Sequence, residues 1–454
     1  MSSTNHRLHE RLFGESAVAD CLSDRARVQA MLDVEAALAE AEVRVGIVPE
    51  RSLAAIRACA QADMYDPAAL ALEAVEAGNV VIPLVRLLAQ RVAATDADAA
   101  RHVHWGATSQ DILDTALVLQ LRAASAPLLR QLERAAQAAA THALRYRNTP
   151  IAGRTWLLHA TPTTFGLKAA GWLDALERVR RSVDTAFNAA FVLQFGGASG
   201  TLAALGPSAV DVAAALADTL RLQMPPAPWH SHRDRFAQLA CALGVATGTL
   251  GKIARDLALM SQTEVAEAFP GEDAGGSSTM PHKRNPVSAA VALAASVRVP
   301  GLVASMLAGM PQEHERGLGG WHAEWDVLPD IVLLTAGAAR SIGFALDELV
   351  IDTARMRKNL EITHGLIQSE AVVMTLGRDL GKQKAHALVE AACRRAASEK
   401  RTLKEVLAEE DAVTRVMTAE AIERCLSPEE YLGAADAFVD RVLESWERSG
   451  GRDA

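Results

Sequence analysis

An all-α fold, three helical domains with a central bundle of long helices, is predicted by three features of the sequence. Half of the 454 residues are apolar but only 4% are aromatic, a composition that favours close-packed helices over sheets. Residues 112 to 148 contain no glycine and a single proline, Pro127, which reads as one long helix kinked at the proline. No sustained period-two run of β-branched residues signals a sheet.

The elements come in this order. Ser23 and Asp24 cap a helix running to about Val45, with Val28, Met31, Leu32, Val34, Ala37 and Leu38 at helical spacing. Shorter helical segments broken by Pro49, Pro67 and Pro83 complete an N-terminal domain over residues 1–111. Thr149-Pro150 stops the first long helix, and a loop over Gly153 to Thr164 leads to a second helix from about Phe165 to Leu193. The third runs from Arg233 to Phe269. The fourth follows Asn285, the N-cap, and Pro286, the first helical position, to about Met310 with a kink at Pro300. Pro311 to Asp326 reads as a charged and aromatic loop, and Leu328 to about Leu360 as the fifth helix. Five such helices without an internal repeat make a bundle over 112–360. Residues 361–454 read as a C-terminal helical domain with a disordered tail from Ser449.

A formal net charge of −9 and the lack of a basic tract argue against nucleic-acid or membrane-surface partners. The five cysteines are scattered without a CxxC pair, so neither a disulfide framework nor a zinc site is implied, and a reducing cytoplasm is expected. Charged residues among the first twenty exclude a signal peptide, and no window approaches eighteen uncharged apolar residues. His314-Glu315 lacks the second histidine of HExxH, so no metal is expected. Gly196 to Gly200, GGASG, follows a helix with no βαβ unit and is not a dinucleotide fingerprint. No cofactor is expected.

The stretch Gly276-Ser-Ser-Thr-Met-Pro-His-Lys-Arg-Asn-Pro286 matches the GSSxMPxKxNP signature of the fumarase/aspartase superfamily, which the chain resembles over essentially its full length. A Gly- and Ser-rich loop that stops against a helix start places Lys283 beside backbone donors that attract carboxylates. His104-Trp-Gly-Ala-Thr-Ser-Gln-Asp111 resembles the family's first block, in which Thr108 and Ser109 hold a substrate carboxylate. Gly153-Arg-Thr-Trp-Leu-Leu-His-Ala-Thr-Pro-Thr-Thr-Phe-Gly166 resembles its second block, GRTHxQxAxPTTxG. Here Trp156 replaces the family's acid/base histidine and Leu158 its glutamine, while Ala290 replaces the glutamate that pairs with that histidine.

Losing both members of that pair has a chemical reading. A lyase that expels an amine or hydroxide needs a positioned acid, whereas a carboxylate leaving group, with a pKa of about 4, does not. One branch of the superfamily, the 3-carboxy-cis,cis-muconate cycloisomerases, performs the reverse of such an elimination. There a substrate carboxylate adds across its own C=C bond to close a lactone, in the breakdown of protocatechuate. The HWGATSQD block and residues 312–325 resemble that branch, which implies a small tricarboxylate substrate. On this resemblance Ser277 donates the proton to the carbanion, with Lys283 and loop amides stabilising the enolate-like intermediate, and His104 or His159 stands next in line. Thr108, Ser109, Thr155 and His159 are candidate substrate-binding residues. Asn285 either positions a carboxylate or serves as the helix cap, and Arg316 and Arg154 are either carboxylate partners or members of salt bridges.

Two rivals remain. An adenylosuccinate-lyase-like enzyme is weakened by Trp156, Ala290 and the lack of an N-terminal Arg-Tyr phosphate-binding pair; a non-catalytic structural relative is weakened by the intact Ser277, Lys283 and Asn285. Finally, the Thr108-Ser109 and Thr155-His159 blocks lie at opposite ends of a helix of roughly 37 residues, about 55 Å at 1.5 Å per residue. They meet around one substrate only when chains pack side by side, in keeping with the homotetramer and three-chain active sites that the resemblance implies.

Overall fold

The computed structural model describes residues 9–271, 275–276, 279–280 and 282–450. Of the described residues 71% are helical, and the all-α class stands. Ser277, Ser278, Pro281 and the tail beyond Gly450 lie outside the described residues, and with them the expectations placed there. All five long helices are present: Ser109–Arg145, Phe165–Ala190, Asp234–Met260, Val287–Ala308 and Gly320–Asp347. The first runs through Pro127, the fourth through Pro300 and the fifth through Pro329.

Several boundaries differ from the sequence reading, each for a local reason. The third helix stops at Met260 instead of Phe269, and Ala268–Phe269 pairs antiparallel with Val350–Ile351. That pairing also ends the fifth helix early, at Asp347, after which Asp352 caps a separate helix, Thr353–Leu360, through the Arg355 N–H. The fifth helix begins at Gly320, inside the expected loop, because Trp321, Glu324 and Leu328 already form a buried stripe at helical spacing. Pro49, Pro67 and Pro83 begin helices instead of breaking them: Pro49 precedes Glu50–Cys59, Pro67 opens Pro67–Ala77, and Pro83 sits in the first turn of Val81–Thr95. A first-turn proline lacks an N–H that has no intrahelical acceptor anyway.

The expected loop over Gly153 to Thr164 is instead a β-hairpin, Pro150–Thr155 paired antiparallel with Leu158–Thr164, bulged between Ala152 and Gly153. Its two-residue turn is Trp156-Leu157, with φ of 54° and 67°. Consecutive left-handed residues define the tight hairpin turn, but Asn-Gly or Asp-Gly normally supply them. Two bulky side chains carry no such signal.

The chain forms two compact units. The first comprises the residues up to Leu132 with Val179–Gly251 and Val291–Ser341; the second comprises Glu133–Arg178, Lys252–Ala290 and the residues from Ile342. In the first, helix Asp24–Val45 packs on Ala209–Leu220 and buries Met31, Leu32 and Leu38. Ser23 caps it by accepting the Ala26 N–H, and Gly46 closes it at φ 85°. In the second, the hairpin packs on Thr353–Leu360, and helices Ser369–Leu380 and Lys382–Glu399 pack together around Val372, Leu376 and Val389.

Five helical segments are long and apolar enough to cross a bilayer by length and composition. Two of them nevertheless bury ionisable groups: Asp111 and Asp114 in Ser109–Arg145, and Glu324 in Gly320–Asp347, are each at most 2% exposed.

Candidate active site

In the first unit the site is organised around Asp111. Its Oδ2 accepts the backbone N–H groups of Thr108 (3.0 Å) and Gly197 (2.9 Å); its Oδ1 accepts Gly196 N–H (2.9 Å) and Gln194 Nε2 (3.2 Å), and lies 3.0 Å from His230 Nε2. One carboxylate thus ties the Thr108-Ser109 turn to the GGASG loop. Gly196 admits no side chain there, since a Cβ would lie 2.4 Å from His230 Cε1. Next to it, Gln110 donates to the His230 carbonyl (2.9 Å) and accepts from Arg316 Nε (3.0 Å), whose Nη2 donates to Ala198 O (3.1 Å).

Below this layer lies Arg233, bound through 2.7 and 3.0 Å contacts to Asp114 and through 2.6 to 3.1 Å contacts to Glu324. Trp321 Nε1 donates to Asp114 as well (3.0 Å). Burial works against the guanidinium's charge, but the two carboxylates outweigh it and raise its pKa further. Burial pushes Glu324 above the usual carboxylate range, with Arg233 opposing. A buried cation with two buried anions satisfies all three and holds the floor rigid.

His104 sits at φ 60° with Nδ1 2.6 Å from Glu35 Oε1. Burial opposes its charge, yet the Glu35 carboxylate, through charge and hydrogen bond, with Asp111 adding to it, holds its pKa above the usual histidine value.

In the second unit the hairpin positions Arg154 opposite His159. Arg154 binds Glu267 through two contacts of 2.9 and 2.6 Å, and Asn359 Nδ2 donates to the same carboxylate (2.8 Å). The salt-bridge reading of Arg154 therefore holds. His159 Nδ1 is buried without a hydrogen-bond partner among the described residues, and its pKa is lowered, first by burial and then by Arg154. Thr155 is exposed beside the hairpin tip, and Trp156 is 97% exposed.

The loop before the fourth helix folds back on itself. Asn285 N–H donates to Gly275 O (2.7 Å) and its side-chain amide to Gly276 O (3.3 Å). The helix begins at Val287, one turn position later than an Asn285 cap predicts, and the Asn285 amide braces the loop. Gly275, at φ 66°, has no alternative: a Cβ would lie 2.0 Å from Asn285 O. Lys283 is exposed, and its backbone N–H donates to Met280 O (3.0 Å). Ala290 is exposed on the first turns of that helix.

Residues 14–301 match the Lyase family, and residues 365–442 match the adenylosuccinate lyase C-terminus. The chain belongs to this lyase family. It is 52% identical over 440 residues to a 3-carboxy-cis,cis-muconate cycloisomerase of Pseudomonas aeruginosa, covering 96% of each chain. It is 49% identical to a protein of the same name from Bradyrhizobium diazoefficiens, covering 99% of this chain and all of the relative. Among solved structures it is similar to the 3-carboxy-cis,cis-muconate lactonizing enzyme of Pseudomonas putida, with a TM-score of 0.93, 48% identity, and 98% and 99% of the two chains covered. The fumarase/aspartase fold expected from the signature is thus the fold of this lyase.

Of the site residues expected from sequence, the first unit of the lyase gathers His104, Thr108, Ser109 and Arg316 around Gln110 and Asp111. The second carries Thr155, His159, Lys283 and Asn285, while Ser277 lies outside the described residues. Sequence reasoning passed over Asp111, Gln194, His230, Glu35 and the Arg233 cluster. Asp111 alone had a local signal: an acidic residue three positions after Thr108, at a helix start, reaches back to the Thr108 N–H as in a capping box. Its other donors come from more than eighty positions away.

Proposed function

We propose that this lyase is a cofactor-free cycloisomerase that converts 3-carboxy-cis,cis-muconate to carboxymuconolactone. The observation that carries the reading is the absence of the acid pair at its two expected positions. Trp156 stands at the hairpin tip and Ala290 on the fourth helix, so neither place offers a proton to a poor leaving group. Lactone formation joins a carboxylate to a C=C bond and asks for none. The names of relatives about half identical over nearly full length support the same chemistry.

In the proposed mechanism the substrate carboxylate attacks the alkene carbon, and the electron pair moves onto the adjacent carbon, where the neighbouring carboxyl group delocalises it as an enolate. Ser277 delivers the proton that quenches it, and Lys283 with loop amides holds the developing charge. Thr108, Ser109 and His104 bind a carboxylate in a loop whose shape Asp111 fixes. Arg316, braced between Gln110 and Ala198, faces the same loop with its remaining N–H groups. Thr155, His159 and Asn285 are the remaining substrate-binding residues of the proposal.

We further propose a homotetramer, located in the cytoplasm and without membrane or nucleic-acid partners, with each site drawn from three chains. Two exposed apolar surfaces support assembly. Trp156, Leu157 and Leu158 are 97%, 77% and 72% exposed, and the most apolar window of Val287–Ala308 is only 28% buried. Both need covering. Refolding inactive Ser109→Ala and Ser277→Ala chains together should restore partial activity, because some mixed sites carry neither change; recovery no greater than that of each refolded alone would place the whole site in one chain.

The function itself is tested by adding the protein to 3-carboxymuconate and following the loss of muconate ultraviolet absorbance, beside a parallel reaction with adenylosuccinate. Loss with the first and none with the second is expected. The opposite pattern would transfer the protein to the fumarate-releasing lyases.

A further inference from the structure

Helix Asp24–Val45 carries two glutamates that a packed helix of this kind does not need for its own stability. Glu35 and Glu42 are 2% and 0% exposed. Seven residues apart, they lie two helical turns apart on nearly the same face. Among the described residues no cation faces either within ion-pair distance except His104, whose Nδ1 is 2.6 Å from Glu35 Oε1. Both oxygens of Glu42, and Oε2 of Glu35, are buried without a hydrogen-bond partner among the described residues. Two unshielded buried carboxylates on one face cannot both keep their charge. Burial, with the Glu35 charge behind it, pushes Glu42 up to about 9, so Glu42 is held neutral, and the carboxylate that meets the His104 ring is that of Glu35.

We propose that Glu35 is a positioning residue for His104: it accepts the Nδ1–H, fixes the ring's orientation and tautomer, and keeps the ring cationic so that Nε2–H binds a substrate carboxylate beside Thr108 and Ser109. The inference rests on the proposed cycloisomerase reading for the identity of that carboxylate. Its geometry is independent of that reading. A left-handed backbone at His104, φ 60°, is costly for a non-glycine residue and persists where surrounding contacts impose it; the Glu35 contact is such a constraint. His104 Nε2 has no partner within the described residues, and the side chain keeps 20% exposure, so the free nitrogen is the one a ligand reaches. The charged groups acting on the ring are Glu35 and, from its own loop and helix, Asp111, with Glu42 neutral behind Glu35. A cation held by a buried carboxylate loses its proton only as pH rises above the ordinary histidine range. Substrate affinity should therefore weaken toward alkaline pH.

The test combines nitrogen-15 histidine spectra with the pH dependence of lactonisation. In the wild-type protein the His104 ring should titrate above its reference value of about 6.5 and, once neutral, carry its proton on Nδ1. In Glu35→Gln the midpoint should fall by about one unit or more. KM for 3-carboxymuconate at neutral pH should rise about tenfold or more, the order expected for a lost charge-assisted hydrogen bond. kcat should stay within about threefold, and Glu35→Asp should recover part of the KM. An unshifted midpoint in Glu35→Gln, or a kcat loss at unchanged KM, would overturn the proposal. Should Glu35→Gln not fold, the wild-type spectra decide: a midpoint at or below about 6.5, or a proton on Nε2 in the neutral ring, is contrary to it. A protein that fails to lactonise at all while giving the expected spectra would fault the substrate and leave the Glu35 assignment standing.

Discussion

The loop that carries Thr108 and Ser109 and the loop that leads to Asn285 are built in opposite ways. The first is clamped by a buried carboxylate, Asp111, that satisfies main-chain donors of two segments and rests above the fully paired Arg233 cluster. The second closes through the main chain, with Asn285 N–H on Gly275 O and a glycine where no side chain fits, and it leaves Lys283 exposed. Side-chain charge organises the one and backbone shape the other. On the proposed function, the contrast corresponds to a division of labour between a rigid carboxylate-binding surface around Asp111 and chemistry on a glycine-rich segment.

That contrast predicts a graded set of losses. Arg233→Met should cost the most, about 3–5 kcal/mol, because it leaves Asp114 and Glu324 buried and unpaired. Orphaned carboxylates regain neutrality in acid, so the deficit in denaturant unfolding should shrink as pH falls toward 5. A deficit that did not vary with pH would mean that the lost packing of the guanidinium, and not charge, is responsible.

Asp111→Asn replaces one acceptor oxygen by a donor that faces N–H groups, and should destabilise by about 3 kcal/mol, with proteolysis or hydrogen exchange increasing in the 104–111 and 196–200 segments together. If only one of the two segments loosened, Asp111 would not be the clamp that joins them.

Glu42 offers a gain of smaller size. Its carboxyl, near 4.5 when free and about 9 in the fold, binds a proton in the native state that the unfolded chain releases between those values. Stability is thus highest below about 4.5 and falls as pH rises toward 9. Glu42→Gln should remove that slope, matching the wild type near pH 4 and exceeding it by about 2 kcal/mol at pH 8, a figure discounted for relaxation around the site. Parallel pH curves for the two proteins would contradict the buried neutral acid.

Gly275→Ala tests the second loop. A left-handed alanine costs about 1–2 kcal/mol, and its Cβ collides with Asn285 O, so melting should move little while lactonisation falls at least tenfold. The smallest expected effect is a null one. Trp156→His restores an imidazole without its partner at Ala290 and beside Leu158, and should yield no adenylosuccinate or argininosuccinate cleavage; measurable cleavage by this single variant would sink the coupling of the two losses.

Helix content was legible because period and breakers are local properties: Ser23 at one end and Gly46 at the other bound Asp24–Val45 in the sequence as they do in the fold. The hairpin was hidden because its turn uses Trp156 and Leu157 in a conformation that short polar residues and glycine usually occupy, and because Pro162 lies within its second strand. In the site, the family blocks could be read as words, but their supports could not. Nothing near Asp111 announces Gln194 or His230, and nothing near His104 announces Glu35, sixty-nine positions away. Such partners are created by packing, which a linear pattern does not contain. The proline positions fell between these cases, since a proline that opens a helix and one that breaks a helix are the same residue, told apart only by whether the next turns find a core to pack on.

In the proposed mechanism, lactone closure depends on a proton delivered from the loop before the fourth helix and on no histidine–glutamate acid pair. The most direct measurement is the rate of muconate absorbance loss for the wild type and for Ser277→Ala at equal concentration, with melting recorded for both. Loss of activity by at least about a hundredfold, the contribution of a positioned proton-transfer group, with melting nearly unchanged, is the predicted result. Activity within about tenfold of wild type, less than such a group supplies, would contradict it and pass the proton to His104 or His159.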